Sequence, residues 1–187
     1  LFLKWYKKNS MQAETIKNEL ISLADNEKAT ILTSFFQTKK GQYAYGDLFL
    51  GVPVPQIRKV VTPYKSLQLK EIAKLLQSKF HECRFAALVL LVDQFTRGNK
   101  IERETIYNFY LSNTQSINNW DLVDVSAHKI VGAWLKNRDR CVLYELAKSD
   151  SLWDQRIAIV STLAFIRINQ FDDTLRLSEF FLTHNHH

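Results

Sequence analysis

The chain has little of what breaks or staples a fold. Its 187 residues include three prolines, five glycines and two cysteines. Pro53, Pro55 and Pro63 all fall in one short stretch. The rest of the chain is therefore clear of the residue that removes a helical N–H donor and clashes with the turn before it. Cys83 and Cys141 stand far apart, each within a helical pattern, which argues against a disulfide framework and a zinc site and fits a reducing cytoplasm. No apolar run reaches the roughly 18 residues a membrane span needs, and no secretory signal with a small-residue cleavage site is evident. Strand-like alternation is nearly absent. These absences point to an all-helical protein.

What is present is enough to build a core. Hydrophobic residues make up 46% of the chain and aromatics 12%, which excludes disorder. The length suits one domain, since domains run to about 100–200 residues. A formal net charge of +6 suggests an anionic partner. Three of those six charges come from Lys4, Lys7 and Lys8, just before the only methionine, Met11. Residues 1–10 read as a basic, aromatic leader outside the fold, and 11–187 as a single repeat domain. The charge on the body alone is a weak hint of nucleic-acid binding. The histidines at 184, 186 and 187 read as a terminal remnant and not a metal site.

Apolar periodicity predicts helices over 12–24, 28–38, 55–62, 68–78, 81–96, 102–111, 120–136, 138–148, 153–168 and 172–183. Tyr43 to Gly51 reads as an ordered loop. The most informative helix opens at Asn118-Asn119-Trp120-Asp121-Leu122-Val123-Asp124, with an asparagine as its N-cap. At roughly 100° per residue, Asp124 lies about 40° around the helix from Trp120, at the border of the apolar stripe.

An internal echo surrounds it. His81-Glu82-Cys83-Arg84-Phe85-Ala86 aligns with Trp153-Asp154-Gln155-Arg156-Ile157-Ala158, each with an acid two positions before arginine. In the same register Asp124 takes the arginine slot, 40 residues after Arg84 and 32 before Arg156. Two-helix solenoid repeats have periods of roughly 34–47 residues, and equivalent positions line one face of the stack. Arg84, Asp124 and Arg156 are therefore expected in a shared groove.

The runs Asn119–Asp124 and Leu152-Trp153-Asp154-Gln155-Arg156-Ile157-Ala158 resemble the bacterial AlkD-type alkylpurine DNA glycosylases. Phe49-Leu50-Gly51-Val52 with Pro55-Gln56-Ile57-Arg58, and Arg84-Phe85-Ala86-Ala87-Leu88, are similar to earlier parts of the same family, so the likeness covers roughly residues 40–182 in order. The resemblance implies a right-handed α-α superhelix of HEAT-like repeats whose concave groove grips duplex DNA and removes N3- or N7-alkylated purines. It implies that Trp120 and Asp124 are the catalytic aromatic and aspartate, and that Arg156 is a catalytic-site residue that also holds DNA. Arg84 and Arg58 are implied as further DNA contacts. It implies a monofunctional hydrolase of base-excision repair without metal or cofactor, monomeric, cytoplasmic and nucleoid-associated through DNA. The family continues into a further repeat with a second cleft tryptophan, so the chain is expected to be C-terminally truncated.

The chemistry suits these residue types. A purine alkylated at N3 or N7 is already cationic and leaves as a neutral base, so the acid of ordinary glycoside hydrolysis is unnecessary. Positive charge then builds at the sugar C1′, where one carboxylate can stabilise it and orient water. Asp124 fits that part. Trp120 offers a π-face to the cation, and the Arg156 fork suits a backbone phosphate. Plainer readings compete. Trp120 can anchor a helix in the core, and Asp124 with Arg156 can form a structural ion bridge. The whole chain can be a non-catalytic HEAT-repeat module that binds DNA or protein. His81 and His128 read as ordinary helix-surface residues, and Lys70, Lys74 and Lys79 as a solvated face.

Overall fold

The computed structural model describes residues 12–184, and the statements that follow concern those residues. The leader 1–10 and the last three residues lie outside them. The chain divides into two compact units, the first ending at Gln94 and the second beginning at Phe95.

The first unit holds α1 (Gln12–Ser22), α2 (Asn26–Phe35), α3 (Val54–Val61) with a 3-10 turn at Thr62–Tyr64, α4 (Leu69–Leu76) and most of α5 (His81–Arg97). Each start has a local cause. The Asp25 side chain caps α2 by accepting from the Lys28 N–H. Pro53 and Pro55 sit where α3 begins, the positions at which proline's missing donor does no harm. Ile16, Leu20, Ile72, Leu76 and Leu88 are completely buried and form the core.

The loop between α2 and α3 is held from below by a carboxylate. Glu82 in the first turn of α5 is buried and accepts the backbone N–H groups of Leu50, Gly51 and Val52 at 2.8–3.3 Å. Gly51 has φ of +82°, and a Cβ there would meet the Asp25 carbonyl oxygen at 2.2 Å and the Ala29 nitrogen at 2.7 Å. Only glycine fits a left-handed residue so close to another backbone. The expected ordered loop is therefore present, and it covers the start of α5 so fully that residues 81–88 are all buried.

The second unit holds α6 (Lys100–Leu111), a 3-10 turn at Thr114–Ser116, α7 (Trp120–Ala127), a π-helical turn at His128–Gly132, α8 (Ala133–Leu135), α9 (Cys141–Ala147), α10 (Leu152–Ser161), α11 (Leu163–Ile166) and α12 (Asp172–Phe181). Asn99 and Glu102 form a reciprocal capping box on α6. Leu122, Val123, Ala127, Ile130, Ile157 and Phe165 are fully buried between these helices. A charged cluster pins α12: Arg140 pairs with Asp173 at 2.6 Å and with Gln170, while Tyr144 donates to the other Asp173 oxygen at 2.7 Å.

The protein is all-helical: among the described residues, an isolated bridge between Leu48 and Phe80 is the sole sheet-like contact. Each helix expected from periodicity is found, with three departures. The helix expected over 120–136 widens into a π turn at its middle. The helix expected over 153–168 is interrupted at Thr162, whose hydroxyl donates to the Ile159 carbonyl at 2.7 Å. The helix expected from 138 begins at Cys141, because the Asp139 carboxylate intercepts the Cys141 N–H at 2.8 Å. Among the described residues no helix is long and apolar enough to cross a membrane.

Candidate active site

The sequence places Asp124 and Arg156 on different helices, and the fold brings them together. Asn119, fully buried, caps α7 by accepting the Trp120 N–H at 2.8 Å, which sets the helix start and hence where Trp120 and Asp124 emerge. Ser151 caps α10 by accepting from the Asp154 N–H, which does the same for Arg156. Arg156 then donates from Nε to Asp124 Oδ1 at 3.0 Å and from Nη2 to Oδ2 at 2.7 Å. This is the fork-on-carboxylate geometry that fixes both planes. The pair is not sealed in: the side chains of Arg156 and Asp124 keep 38% and 39% of their surface exposed. Trp120, one turn before Asp124, is half-buried.

The two helices run in the same direction. Further along, Gly132 in the π turn lies against α10: a Cβ there would fall 2.1 Å from the Ser161 carbonyl oxygen and 2.8 Å from Ala164 Cβ. Asp124 meets Arg156 and Gly132 meets Ser161, so residue numbers rise together along both. The absence of a side chain at Gly132 is what allows this close approach, and the close approach keeps the ion pair within reach.

Below the pair the floor is polar but satisfied. Tyr110, buried on α6, lies with its hydroxyl 2.9 Å from Ser126 Oγ, and Ser126 donates to the Leu122 carbonyl at 2.6 Å. Burial pushes the Tyr110 phenol well above the ordinary tyrosine value. His128, one turn past Asp124, is half-buried. Desolvation, then the charges of Lys129 and Arg167, hold its imidazole below the ordinary histidine value. Sequence reasoning gave no sign of the Tyr110–Ser126 contact, because both residues sit in otherwise ordinary apolar stripes.

The remaining expected residues lie in the first unit. Arg58 is exposed on α3. Arg84 is buried at 5% exposure, with Nη2 2.7 Å from Asp47 and Nη1 donating to the Ser78 carbonyl at 2.9 Å. The Asp47 approach is a charge contact and not an aligned hydrogen bond. Arg84 thus ties the loop to α5, with its guanidinium turned to Asp47 and Ser78 and away from solvent. His81, expected on a helix surface, is instead buried. It stacks on Phe49 with ring centroids 4.7 Å apart, and its Nδ1 lies 3.4 Å from Asp47. Lys74, expected on a solvated face, is exposed but also reaches the buried Glu71 at 2.6 Å. Both cysteines are free, Cys83 buried and Cys141 exposed. Among the described residues no cluster of three or more His, Cys, Asp or Glu has the arrangement to hold a metal ion.

Comparison with known proteins bears on the fold and the family. The chain is similar to the solved structure of a predicted DNA alkylation repair enzyme from Enterococcus faecalis, at 16% identity. That similarity covers 87% of this chain and 76% of that one with a TM-score of 0.60, which speaks to the fold. No curated protein matches the chain. The profile of the DNA alkylation repair enzyme family matches residues 16–187. With nearly the whole chain matched, including both helices of the Asp124–Arg156 pair, the protein belongs to the DNA alkylation repair enzyme family.

Proposed function

We propose that this protein is a monofunctional DNA glycosylase that removes cationic N3- or N7-alkylated purines from duplex DNA. The reading includes HEAT-like pairing of the helices within each unit, action as a monomer at the nucleoid, and no need of a metal or cofactor. The observation that carries it is the half-exposed, bidentate Asp124–Arg156 pair with Trp120 one turn above the carboxylate.

The steps follow from charge. The glycosidic bond breaks with its electron pair going to the purine, which cancels the base's positive charge and lets it leave neutral. Positive charge appears on the sugar at C1′ and O4′. Asp124 stabilises it, and the stabilisation is stronger in a partly dehydrated site than in water. Water oriented by the same carboxylate adds to C1′ and releases a proton, leaving an abasic sugar. Trp120 presents its π-face to the cation.

Arg156 supplies the coupling to DNA. In the free protein its fork neutralises Asp124. A backbone phosphate competes for the same guanidinium, so docking a lesion strand draws Arg156 toward phosphate and frees carboxylate oxygens for the sugar. The negative charge on Asp124 is thereby exposed when a cation is there to meet it. Exposed Arg58 is retained as a phosphate contact of the first unit.

The test is release of 7-methylguanine and 3-methyladenine from alkylated duplex DNA by the wild type and Asp124→Asn. The substitution is expected to keep the fold and DNA binding and to remove most of the excision. Equal release by the two proteins would sink the reading. A second reading, a non-catalytic DNA-binding module, draws on the same contact, since both Asp124 oxygens are engaged by Arg156. It predicts that neither protein releases a base.

A further inference from the structure

Two polar side chains lie in the seam beneath the Asp124–Arg156 pair, and the reading above gives neither of them a part. Tyr110, near the end of α6, and Ser126, in the last turn of α7, are both completely buried. Ile106, Leu122, Val123 and Ala127 are buried on the same two helices. A serine hydroxyl has one proton to give. Ser126 directs it to the Leu122 carbonyl at 2.6 Å, with the Val123 carbonyl at 3.4 Å. The 2.9 Å contact between the two hydroxyls therefore has Tyr110 as donor and Ser126 Oγ as acceptor. Burial holds the phenol well above its ordinary value, so the donor keeps its proton at neutral pH.

Filling space does not require this pair. Phenylalanine and alanine would occupy nearly the same volume without taking two hydroxyls out of water, a transfer that is unfavourable until the hydrogen bond is made. What the pair adds is direction. Apolar side chains slide past one another at little cost, whereas a hydrogen bond weakens steeply once its angle is lost. α7 is eight residues long and runs into a π turn that changes the winding, so it takes its rotational setting from contacts of its own. Asn119 sets its first turn, and the tyrosine hydroxyl holds its last. The carbonyls that Ser126 reaches belong to the two residues just before Asp124. A carboxylate about 6 Å from a helix axis moves about 1 Å when the helix turns by about 10°. An error of about 1 Å at a reacting centre can cost about a hundredfold in rate.

We infer that Tyr110 is a positioning residue of the proposed glycosylase site: by donating to Ser126, which in turn holds the carbonyls just before Asp124, it fixes the rotation of α7 and so the direction from which the carboxylate meets Arg156 and the lesion sugar. Its action passes through Ser126 and the α7 backbone. The effect on excision rests on the glycosylase reading, whereas the effect on the Asp124–Arg156 contact in the free protein does not.

The experiment compares wild type, Tyr110→Phe, Ser126→Ala and the double variant. Tyr110→Phe is expected to slow single-turnover release of 7-methylguanine by about tenfold or more, as misdirection of the carboxylate should. Its affinity for undamaged duplex stays within about twofold, since that affinity is set by phosphate contacts. Ser126→Ala leaves a buried phenol without its acceptor and is destabilised, and the double variant regains stability because neither hydroxyl is left unpaired. Excision by the double variant is expected to stay as slow as that of Tyr110→Phe. The Arg156 Nε–H, which donates to Asp124 Oδ1 at 3.0 Å, gives a resonance identified by its loss in Arg156→Lys. That resonance is expected to shift in Tyr110→Phe and in the double variant.

Excision that returns together with stability in the double variant overturns the inference and leaves the hydroxyl pair a merely structural contact. Unchanged excision by Tyr110→Phe overturns it as well, as does an unmoved Arg156 Nε–H resonance. Should Ser126→Ala fail to fold, Tyr110→Phe carries the excision and resonance readouts by itself. A wild type that releases no base refutes the glycosylase reading, and the resonance then still decides whether Tyr110 sets the contact.

Discussion

Arg156 engages both oxygens of Asp124, at 3.0 and 2.7 Å, although each side chain keeps more than a third of its surface in water. Exposure limits what the contact adds to stability, since exposed pairs contribute about 1 kcal/mol or less. Arg156→Ala is therefore expected to change the unfolding free energy by no more than about 1 kcal/mol. It is also expected to reduce excision of 7-methylguanine by tenfold or more (a ~1.4 kcal/mol effect on the barrier). Urea denaturation and single-turnover excision measure the two. Arg156→Lys is expected to recover little, because an ammonium cannot bridge two oxygens of a planar acceptor. A large loss of stability with unchanged excision would mark the pair as scaffolding.

Salt dependence separates phosphate contact from ion bridge. If Arg156 passes to a backbone phosphate on docking, removing it takes away one released counterion. The slope of log K against log salt is then expected to fall by about 0.9 for Arg156→Ala. Fluorescence titration of lesion duplex across a range of salt concentrations gives the slope. An unchanged slope argues that Arg156 stays on Asp124.

Gly132 controls how closely α7 and α10 approach. A Cβ 2.1 Å from the Ser161 carbonyl oxygen cannot be accommodated without moving one backbone. Gly132→Ala is expected to destabilise by about 1–3 kcal/mol, the range for overpacked interiors, and to lower excision by spreading the helices that hold the pair. Denaturation curves and excision rates on the same preparation check both halves.

Glu82 holds three backbone N–H groups of the loop before α3. Glu82→Gln puts an amide –NH₂ against donors that need an acceptor. Hydrogen bonds to charged groups contribute about 1.5–3 kcal/mol each, not additively. A loss of about 2–4 kcal/mol is expected, with amide exchange at Leu50, Gly51 and Val52 accelerating more than in the second unit.

Acid should weaken the fold through His128. Its imidazole is held below the ordinary value of 6.5 by desolvation, then by Lys129 and Arg167. Just below pH 6.5 the unfolded chain binds a proton there and the native state does not, so stability rises with pH. The contribution is complete above the unfolded value, declines as pH falls from 6.5 toward the lower folded value, and is flat below it. Replacing His128 with Gln is expected to flatten that part of the stability–pH profile. An unchanged profile would show that other groups govern it.

Much of this was legible in the sequence, and the parts that were not have specific reasons. Spacing alone finds the helices because the prolines are concentrated at Pro53–Pro63 and apolar residues elsewhere recur at helical intervals. The Asp124–Arg156 meeting is readable from the repeat echo, since equivalent slots on parallel helices share a level. Arg84 occupies the same slot yet is buried against Asp47, because the loop that Glu82 anchors closes over its helix. Periodicity reports one buried face, and a helix covered on all sides from 81 to 88 has no exposed face to contrast with it. For the same reason His81 looks like a surface residue and is not one. The π turn left no mark on the apolar pattern, because Ile130, Val131 and Trp134 suit either winding.

That π turn has a consequence for how the site tolerates change. A π-helical turn carries about one residue more than the α-helical turn it replaces. The stretch from Trp120 to Leu135 thus behaves as two half-helices with independent rotational phase. The first half is aimed by its asparagine cap, and the second is indexed to the core by Ile130, Val131 and Trp134. Repacking behind Trp134 can be absorbed at the seam without turning Asp124 away from Arg156. Deleting one residue between 128 and 131 is expected to return that turn to ordinary α geometry and to leave both the carboxylate and the core in their present alignment.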